Sequence, residues 1–526
     1  MTDKLIVSNR GALRRKYGAA GLARIRTALD HLVAADRKRG LVTRVAWLDD
    51  ARTMRAHRAP VVADPVDYAA TKKAVDALFR VATPDYLMLL GAPDVISHQP
   101  LSNPLYDPPD EPDVYAWSDL PYACAGPYSH DIATFTGPTR VVGRLPDLTG
   151  ATDPAQASHV VSLLRSAAGY RSREAEEYGP YFALSAQSWE VCSGRNLFEI
   201  FGNRDRLRTS PRSGPHFTAA ALAPLSHFIN CHGDEGSDEF AGQHGRNYPV
   251  SLRTRSIDGA ITPGTVAAVE CCYGAQLYAA DLIGIDIPIC QSYLAQGAYG
   301  YLGSTTIAYG ESRTMSAADL LVQYFLLEVL GGASLGRAAL RARQRYVREI
   351  VDLDPTDLKT LAQFMLLGDP SIHPVRSAAT PVSAKAAGAE VGLRQRRRER
   401  RAKLASEGVH LQASRATASK PAKMPPLAPH VHRALAKIAK DAGIRASESF
   451  RMFPIRPPVA PVAERAKGAT RKLKRADGSA RVATAGRRFF VAIEKPPNAG
   501  RGPKAVAVVV KEVSGRIVDV RKYEQR

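Results

Sequence analysis

Two short stretches of the sequence combine cysteine with histidine or with glycine, and they lie 40 residues apart. The first is "FINCHGDEG", with Cys231, His232 and Gly233, and the second is "AAVECCYGA", with Cys271 and Cys272. A thiol becomes a strong nucleophile when a nearby histidine accepts its proton. Glycines beside such residues let backbone N–H groups face a developing oxyanion. The two stretches therefore indicate a Cys–His catalytic dyad.

The same residues also fit three other interpretations. Buried cysteines commonly serve as small core hydrophobes, and His232 would then cap a loop. A zinc site is disfavoured because adjacent residues at a strand end point in opposite directions and the CxxC spacing is absent. A disulfide between the neighbours Cys271 and Cys272 would be strained. The residues alone leave the dyad and the structural interpretation open.

Both stretches end apolar runs that are typical of buried strands, "LSHFINCHG" and "GTVAAVECCYGA". Similar runs alternate with helical patterns from "KLIVSN" at the start to "FMLLGDPSIHPV" near residue 375, which predicts a mostly parallel sheet flanked by helices. Reactive groups of such sheets collect at the carboxyl ends of the strands. The sequence therefore predicts an α/β fold in which the two stretches meet at one edge.

The positive charge belongs to the last part of the chain. The net charge is +21, but residues 376–526 hold 35 Lys+Arg and 11 Asp+Glu, so the preceding residues are close to neutral. "RQRRRERRAK" and the proline-rich "MFPIRPPVAPV" predict a basic, disordered linker at 376–484. Three β-rich runs predict a small β unit at 485–526.

This basic region, residues 376–526, would act as a linker or as an arm that binds a polyanion or a partner protein. Base stacking is not indicated, because aromatic residues are not interleaved with the charges. The sequence has no apolar run of 18 residues and no apolar signal-peptide core, which predicts a protein without a membrane span. Six irregularly spaced cysteines favour a reducing cytoplasm.

The two cysteine-containing stretches resemble the superfamily of caspases, metacaspases, legumains and gingipains, in which a strand ends in His-Gly and a later strand ends at the catalytic cysteine. "YLMLLGAPDVI", "WSDLPYA", "YGYLGSTTIAYG" and "LLGDPSIHPV" resemble segments of the gingipain-like branch, in the same order. The resemblance implies an N-terminal α/β subdomain at 1–160 and a caspase-like α/β/α sandwich at 161–375. It also implies a cysteine endopeptidase that acts on protein or peptide substrates without a cofactor.

The resemblance assigns His232 as the catalytic base and the Gly233 N–H as an oxyanion donor. Its acid-small-Cys pattern selects Cys272 as the nucleophile, whereas a Cys-x-x-Gly alignment would select Cys271. Glu190, in "SWEVCSG", lies where gingipain-like enzymes position an acid that binds a basic P1 side chain, the residue before the cleaved bond. An enzyme with that preference would find cleavage sites in its own basic tail.

Four acids follow Gly233 and have two functional interpretations besides that of a solvated loop. They would attract a basic substrate or bind calcium, although the spacing of an EF-hand is missing. The four are Asp234, Glu235, Asp238 and Glu239. Two alternatives to a protease stay open: a catalytically silent scaffold of the same fold, and a nucleic-acid-binding protein that acts through the basic tail.

Overall fold

The computed structural model describes residues 2–108, 110–376, 387–444, 449–456, 486–494 and 505–526. The strands of these residues, in chain order, are β1 Lys4–Ser8, β2 Thr43–Trp47, β3 Tyr86–Leu90, β4 Gln99–Ser102, β5 Tyr115–Ser118, β6 Val142–Leu145, β7 Tyr181–Ala186, β8 Leu207–Ser210, β9 Ser226–Asn230, β10 His232–Gly233, β11 Glu239–Ala241, β12 Val250–Arg253, β13 Val266–Val269, β14 Gly300–Ser304, β15 Tyr309–Gly310, β16 Asp352–Leu353, β17 Phe364–Gly368, β18 Ala416–Ala418, β19 Arg451–Arg456, β20 Arg487–Glu494, β21 Val506–Val513 and β22 Arg516–Gln525.

Helices connect most of the long strands. They are α1 Arg10–Lys38, α2 Ala51–Ala56, α3 Tyr68–Ala82, α4 Ala157–Gly169, α5 Ala175–Tyr178, α6 Glu190–Phe201, α7 Ala219–Leu222, α8 Ala280–Ile283, α9 Ile289–Ala295, α10 Ala318–Leu330, α11 Leu335–Glu349, α12 Pro355–Gln363, α13 Ala387–Ser414 and α14 Pro429–Ala442. Side-chain caps fix several helix starts: Asn9 accepts from the Ala12 N–H, and Ser334 accepts from the Arg337 N–H.

A large sheet forms the centre of the molecule. Among the described residues it has ten strands in the order β2-β1-β3-β6-β17-β14-β13-β9-β7-β8. Its central strands, such as β9, β13 and β17, are buried along their whole length, which explains their continuous apolar runs. The predicted fold class, α/β with a large and mostly parallel sheet, is confirmed.

One antiparallel junction divides the large sheet. β14 pairs antiparallel with β17, with Gly300 opposite Gly368, whereas the other neighbouring strands of this sheet pair in parallel. The carboxyl ends of β7, β9, β13 and β14 therefore lie at one edge, and those of β1, β3 and β6 lie at the opposite edge. The regions 1–160 and 161–375, predicted as separate units, contribute to one continuous sheet.

A second sheet joins the end of the chain to the region before residue 376. Its seven strands among the described residues have the order β15-β22-β21-β20-β19-β18-β16. The three β-rich runs predicted at 485–526 form β20, β21 and β22, and these pair with further strands rather than standing alone. β22 in particular lies between β21 and β15, which belongs to the segment after β14.

The described part of 376–484 differs from the disordered segment predicted there. It contains α13, α14, β18 and β19, while residues 377–386, 445–448 and 457–485 lie outside the described residues. In α14, Val431, Leu435 and Ala439 recur at a spacing of four and are buried against Phe490 and Val508. This spacing predicts an amphipathic helix, but the high Lys, Arg and Pro content of the surrounding sequence obscures it.

None of the helices in the described ranges is both long enough and apolar enough to cross a membrane.

Candidate active site

The two cysteine-containing stretches meet at one edge of the large sheet. β9 and β13 are parallel neighbours, and Ile229 lies opposite Val269, so the residues that follow both strands emerge side by side. A side chain at Gly233 would overlap the carbonyl oxygen of Cys272. Glycine at this position therefore allows the His232-Gly233 backbone to lie directly against the backbone of Cys272.

The side chain of Cys271 is buried between the two stretches. Its Sγ accepts a hydrogen bond from the Cys231 N–H at 3.3 Å, and both thiols are fully buried. Burial, and next the neighbouring Cys231, raise the pKa of Cys271 well above its ordinary value. Burial also raises the pKa of Cys231 to about 12. Neither thiol is therefore disposed to form a thiolate at neutral pH.

Cys272 points towards the segment that follows β14. Its Sγ accepts a hydrogen bond from the Ala308 N–H at 3.2 Å and donates to the Ala308 carbonyl oxygen at 3.4 Å. The backbone N–H of Cys272 donates to the carbonyl oxygen of Arg526 at 3.2 Å. Both the sulfur and the amide of Cys272 thus face the cleft in which Arg526 lies.

His232 is held by contacts on several sides. Its Nε2 lies 2.7 Å from Oε1 of Gln243, and the Gln243 amide group donates to the Tyr248 hydroxyl at 2.9 Å. The imidazole packs against the rings of Trp189 and Tyr248, with centroid distances of 4.4 and 5.2 Å. Because the Gln243 oxygen accepts a hydrogen bond, Nε2 carries the proton of the neutral ring and Nδ1 is its basic nitrogen.

A buried acidic pocket lies next to Cys272 and contains the side chain of Arg526. One terminal nitrogen of the guanidinium donates to both Asp319 carboxylate oxygens, at 3.0 and 3.1 Å, and to the Glu311 carbonyl at 2.8 Å. The other terminal nitrogen donates to Oδ1 of Asn230 at 3.1 Å. Arg526, Asp319 and Asn230 are all fully buried. Burial opposes the charge of Arg526, but Asp319 outweighs it and raises the pKa of Arg526 above its ordinary value.

The pocket is a flat slot that matches a planar group. The Arg526 guanidinium lies 4.4 Å from the ring centroid of Trp189. A side chain at Gly310 would overlap the Arg526 guanidinium, so the glycine forms a second close wall. A cation that is enclosed in this way gains both cation–π attraction and contact area.

A second carboxyl group, Glu270, lies beside the ion pair. Burial, and next the negative charge of Asp319, raise the pKa of Glu270 well above its ordinary value, which favours its neutral form. Asn196 donates to Glu270 Oε1 at 3.1 Å. With Glu270 neutral, the charges of Arg526 and Asp319 compensate each other inside the pocket.

The backbone of the last residues runs through the cleft as a strand. β22 pairs antiparallel with β15, with Tyr309 opposite Gln525 and Gly310 opposite Glu524. The Arg526 N–H donates to the Ala308 carbonyl at 3.0 Å. The Arg526 carbonyl oxygen is thereby directed to the Cys272 N–H, at 3.2 Å.

A layer of acids from the loop-rich segment after β3 supports the cleft. Asp113 accepts hydrogen bonds from the Tyr273 hydroxyl at 2.8 Å and from the Ile307 N–H at 2.9 Å. Glu111 accepts from the Tyr309 hydroxyl and from Lys359. These contacts hold Tyr273, the residue after Cys272, and the strand β15 in place.

The predicted specificity residue, Glu190, is exposed at the first turn of α6, whereas its neighbour Trp189 forms a wall of the slot. The acid that binds Arg526 is Asp319, which the sequence analysis does not predict as a site residue. Its sequence signal is an aspartate in "ADLLVQYFLLEVL", an otherwise apolar helix whose buried carboxylate requires a partner.

The four acids after Gly233, the candidate calcium ligands, are exposed or partly exposed. Glu239 pairs with Arg253 at 3.0 Å, and Asp234 and Glu235 are exposed. Within the described ranges, no group of three or more His, Cys, Asp or Glu side chains is arranged to hold a metal ion. All six cysteines lie in those ranges, and none forms a disulfide.

Comparisons with known proteins reveal distant structural similarity. No family model and no curated protein matches the sequence. One solved structure, described as "Structure of Protease", aligns over 100% of this chain and 97% of its own, with 14% identity and a TM-score of 0.47. The separase–securin complex of Saccharomyces cerevisiae aligns over 45% of this chain and 14% of that chain, with 14% identity and a TM-score of 0.28.

Proposed function

We propose that this protein is a cysteine endopeptidase with a caspase-like fold, in which Cys272 is the nucleophile and His232 the base. One observation supports the proposal above all others. The carbonyl group of Arg526, an extended residue with a buried side chain, is directed to the backbone N–H of Cys272. In the proposed reaction, the carbonyl of the scissile peptide bond would bind as this carbonyl does, and the Cys272 and Gly233 N–H groups would stabilise its oxyanion.

The reaction follows from these positions. His232 accepts the proton of the Cys272 thiol, and the thiolate attacks the carbonyl carbon of the substrate. The C–N bond then breaks, and the imidazolium of His232 gives its proton to the departing amine. Water, deprotonated by His232, attacks the resulting thioester, which releases a carboxylic acid and restores the thiol. No step requires a metal or a cofactor.

The pocket favours a basic P1 residue, and arginine in particular. Asp319 supplies the charge, and the slot between Trp189 and Gly310 fits a planar cation. Bonds that follow Arg or Lys in the basic tail would be sites of self-cleavage. The relation to the gingipain-like branch and the cytoplasmic location stay predictions.

The alternative role of the tail, binding of a polyanion or a partner, receives less support from its described residues. Arg487 and Lys511 pair with Asp352, and Arg521 lies 3.6 Å from Asp354. Positive charge that is neutralised within the fold contributes little to attraction of a polyanion. The cleft, by contrast, has the features that a substrate needs.

Chemical labelling tests the proposed nucleophile. An arginyl acyloxymethyl ketone should alkylate the chain, and peptide mapping should place the label on Cys272. We expect no labelling in Cys272→Ala or His232→Ala, and retained labelling in Cys271→Ala, the matched control. Each labelling is repeated in Arg526→Ala, so that an occupied pocket is not mistaken for an inert thiol. Labelling that persists in Cys272→Ala would refute the assignment.

A further inference from the structure

The end of the chain occupies the cleft in which the proposed function would place a substrate. We propose that β22 and Arg526 form a tethered ligand of the chain's own cleft, with Arg526, Gln525 and Glu524 in the P1, P2 and P3 positions. The tethered segment competes with substrates for the same strand and the same acidic pocket. This inference rests on the proposed function, but peptide binding alone can test whether Arg526 occupies the pocket.

The backbone contacts are those of an extended ligand on a strand edge. β15 receives Glu524 and Gln525 as an antiparallel neighbour, and the Ala308 carbonyl accepts the Arg526 N–H. Recognition through the main chain accepts many sequences, because the hydrogen bonds do not depend on side chains. Specificity must therefore come from side-chain pockets such as the fully buried one that contains Asp319.

The side-chain contacts select arginine. The guanidinium reaches Asp319 with one terminal nitrogen and Asn230 with the other, while its faces contact Trp189 and Gly310. A lysine ammonium has its three donors on one nitrogen, so it does not reproduce the contacts that the guanidinium makes with two separate nitrogens. Trp189 also donates from Nε1 to the Glu524 carboxylate at 3.1 Å, which adds a preference for glutamate at P3.

The remainder of β22 is fixed independently of the cleft. Eight residue pairs join it to β21, and the buried Tyr523 hydroxyl donates to Asp354 at 3.1 Å. Gln525 Oε1 accepts the Ala505 N–H at 2.9 Å. A ligand held this close to its site acts at a high effective concentration, on the order of millimolar. Displacement requires residues 524–526 to leave β15 and the acidic pocket, while residues 516–523 stay paired with β21.

Peptide binding in a catalytically silent background tests the inference. The probe is fluorescein-labelled Lys-Tyr-Glu-Gln-Arg-amide, and its anisotropy is followed with Cys272→Ala and with Cys272→Ala/Arg526→Ala. Removal of Arg526 should tighten binding at least ~10-fold, since the tethered competitor is lost. Arg516→Ala, which removes an exposed arginine of the same strand, is the matched control and should leave binding unchanged.

Two further measurements separate the possible failures. Asp319→Asn in the double variant should abolish peptide binding, and a probe that ends in lysine should bind at least ~10-fold more weakly. Equal affinity with and without Arg526, or binding that is indifferent to Asp319→Asn, would overturn the inference. If the peptide binds as expected but Arg526→Ala with an intact Cys272 cleaves no arginyl substrate, the proposed catalysis falls and the tethered ligand stands. Equal thermal melting of the variants would show that all of them fold.

Discussion

Asp319→Asn should weaken the recognition of arginine more than any other single change in the pocket. The substitution keeps the shape of the side chain but removes the charge that faces the guanidinium. Both groups are fully buried, and the two N–O distances are 3.0 and 3.1 Å. Removal of one member of a buried ion pair typically costs about 3–5 kcal/mol. A loss of about 3 kcal/mol corresponds to roughly a hundredfold decrease in kcat/KM.

Glu270 is the reason why we expect a loss near the lower end of the range of about 3–5 kcal/mol. The negative charge of Asp319 is one of the causes that raise the pKa of Glu270, so Asp319→Asn should lower that pKa and let Glu270 ionise more readily. An ionised Glu270 would then replace part of the lost attraction. The defect of Asp319→Asn should therefore shrink as the pH rises and Glu270 ionises, and Glu270→Gln combined with Asp319→Asn should remove this recovery.

The assay is the hydrolysis of fluorogenic arginyl peptides in the Arg526→Ala background, where no tethered arginine competes. Glu190→Gln is the matched control, because Glu190 is the acid that the sequence favoured and is exposed in the structure. We expect it to change kcat/KM less than twofold. A decrease below threefold for Asp319→Asn, or a larger decrease for Glu190→Gln, would refute the assignment of the pocket.

Two further predictions concern stability. Burial lowers the pKa of His227 to about 4, so the unfolded chain binds a proton near pH 6.5 before the folded chain does, and stability is lost as the pH falls from 6.5 towards 4. His227→Gln should reduce the change of the free energy of unfolding with pH by up to about 1.4 kcal/mol per pH unit. Urea unfolding at pH 5 and pH 7 measures this change, and an equal change in His227→Gln and the unsubstituted protein would contradict the reasoning. Buried Arg144 donates to both Asp119 oxygens, at 2.8 and 2.6 Å, and to the Gly91 and Ile96 carbonyls, each at 2.7 Å. Arg144→Lys should lower the free energy of unfolding by about 2–4 kcal/mol, because a lysine leaves buried acceptors without donors; a loss below about 1 kcal/mol would contradict this.

The sequence predicted the parts of the fold that depend on local pattern. Continuous apolar runs identified β9 and β13, and the edge rule for parallel sheets predicted that the stretches with His232 and Cys272 would come together. The resemblance assigns the Gly233 N–H as an oxyanion donor, which stays a prediction; the structure shows that its close approach to the Cys272 backbone requires a residue without a side chain. The roles of His232 and Cys272 in catalysis stay predictions that the labelling experiment tests.

Features that depend on distant pairing could not be predicted. Arg526 reaches Asp319 through a strand that pairs across more than 200 residues of sequence, and no local pattern encodes such a partner. The insertion of β17 between β6 and β14 is likewise set by the sheet as a whole. In α14, an amphipathic spacing was present, but a basic composition typical of disorder concealed it.

Trp189 links two functions that are usually assigned to different residues. Its indole lies 4.4 Å from the Arg526 guanidinium and 4.4 Å from the imidazole of His232, measured between centres. The Arg526 cation and the imidazole therefore contact the same ring. If the pocket binds the P1 side chain and His232 is the base, as proposed, substitutions of Trp189 should alter KM and kcat together rather than either one alone.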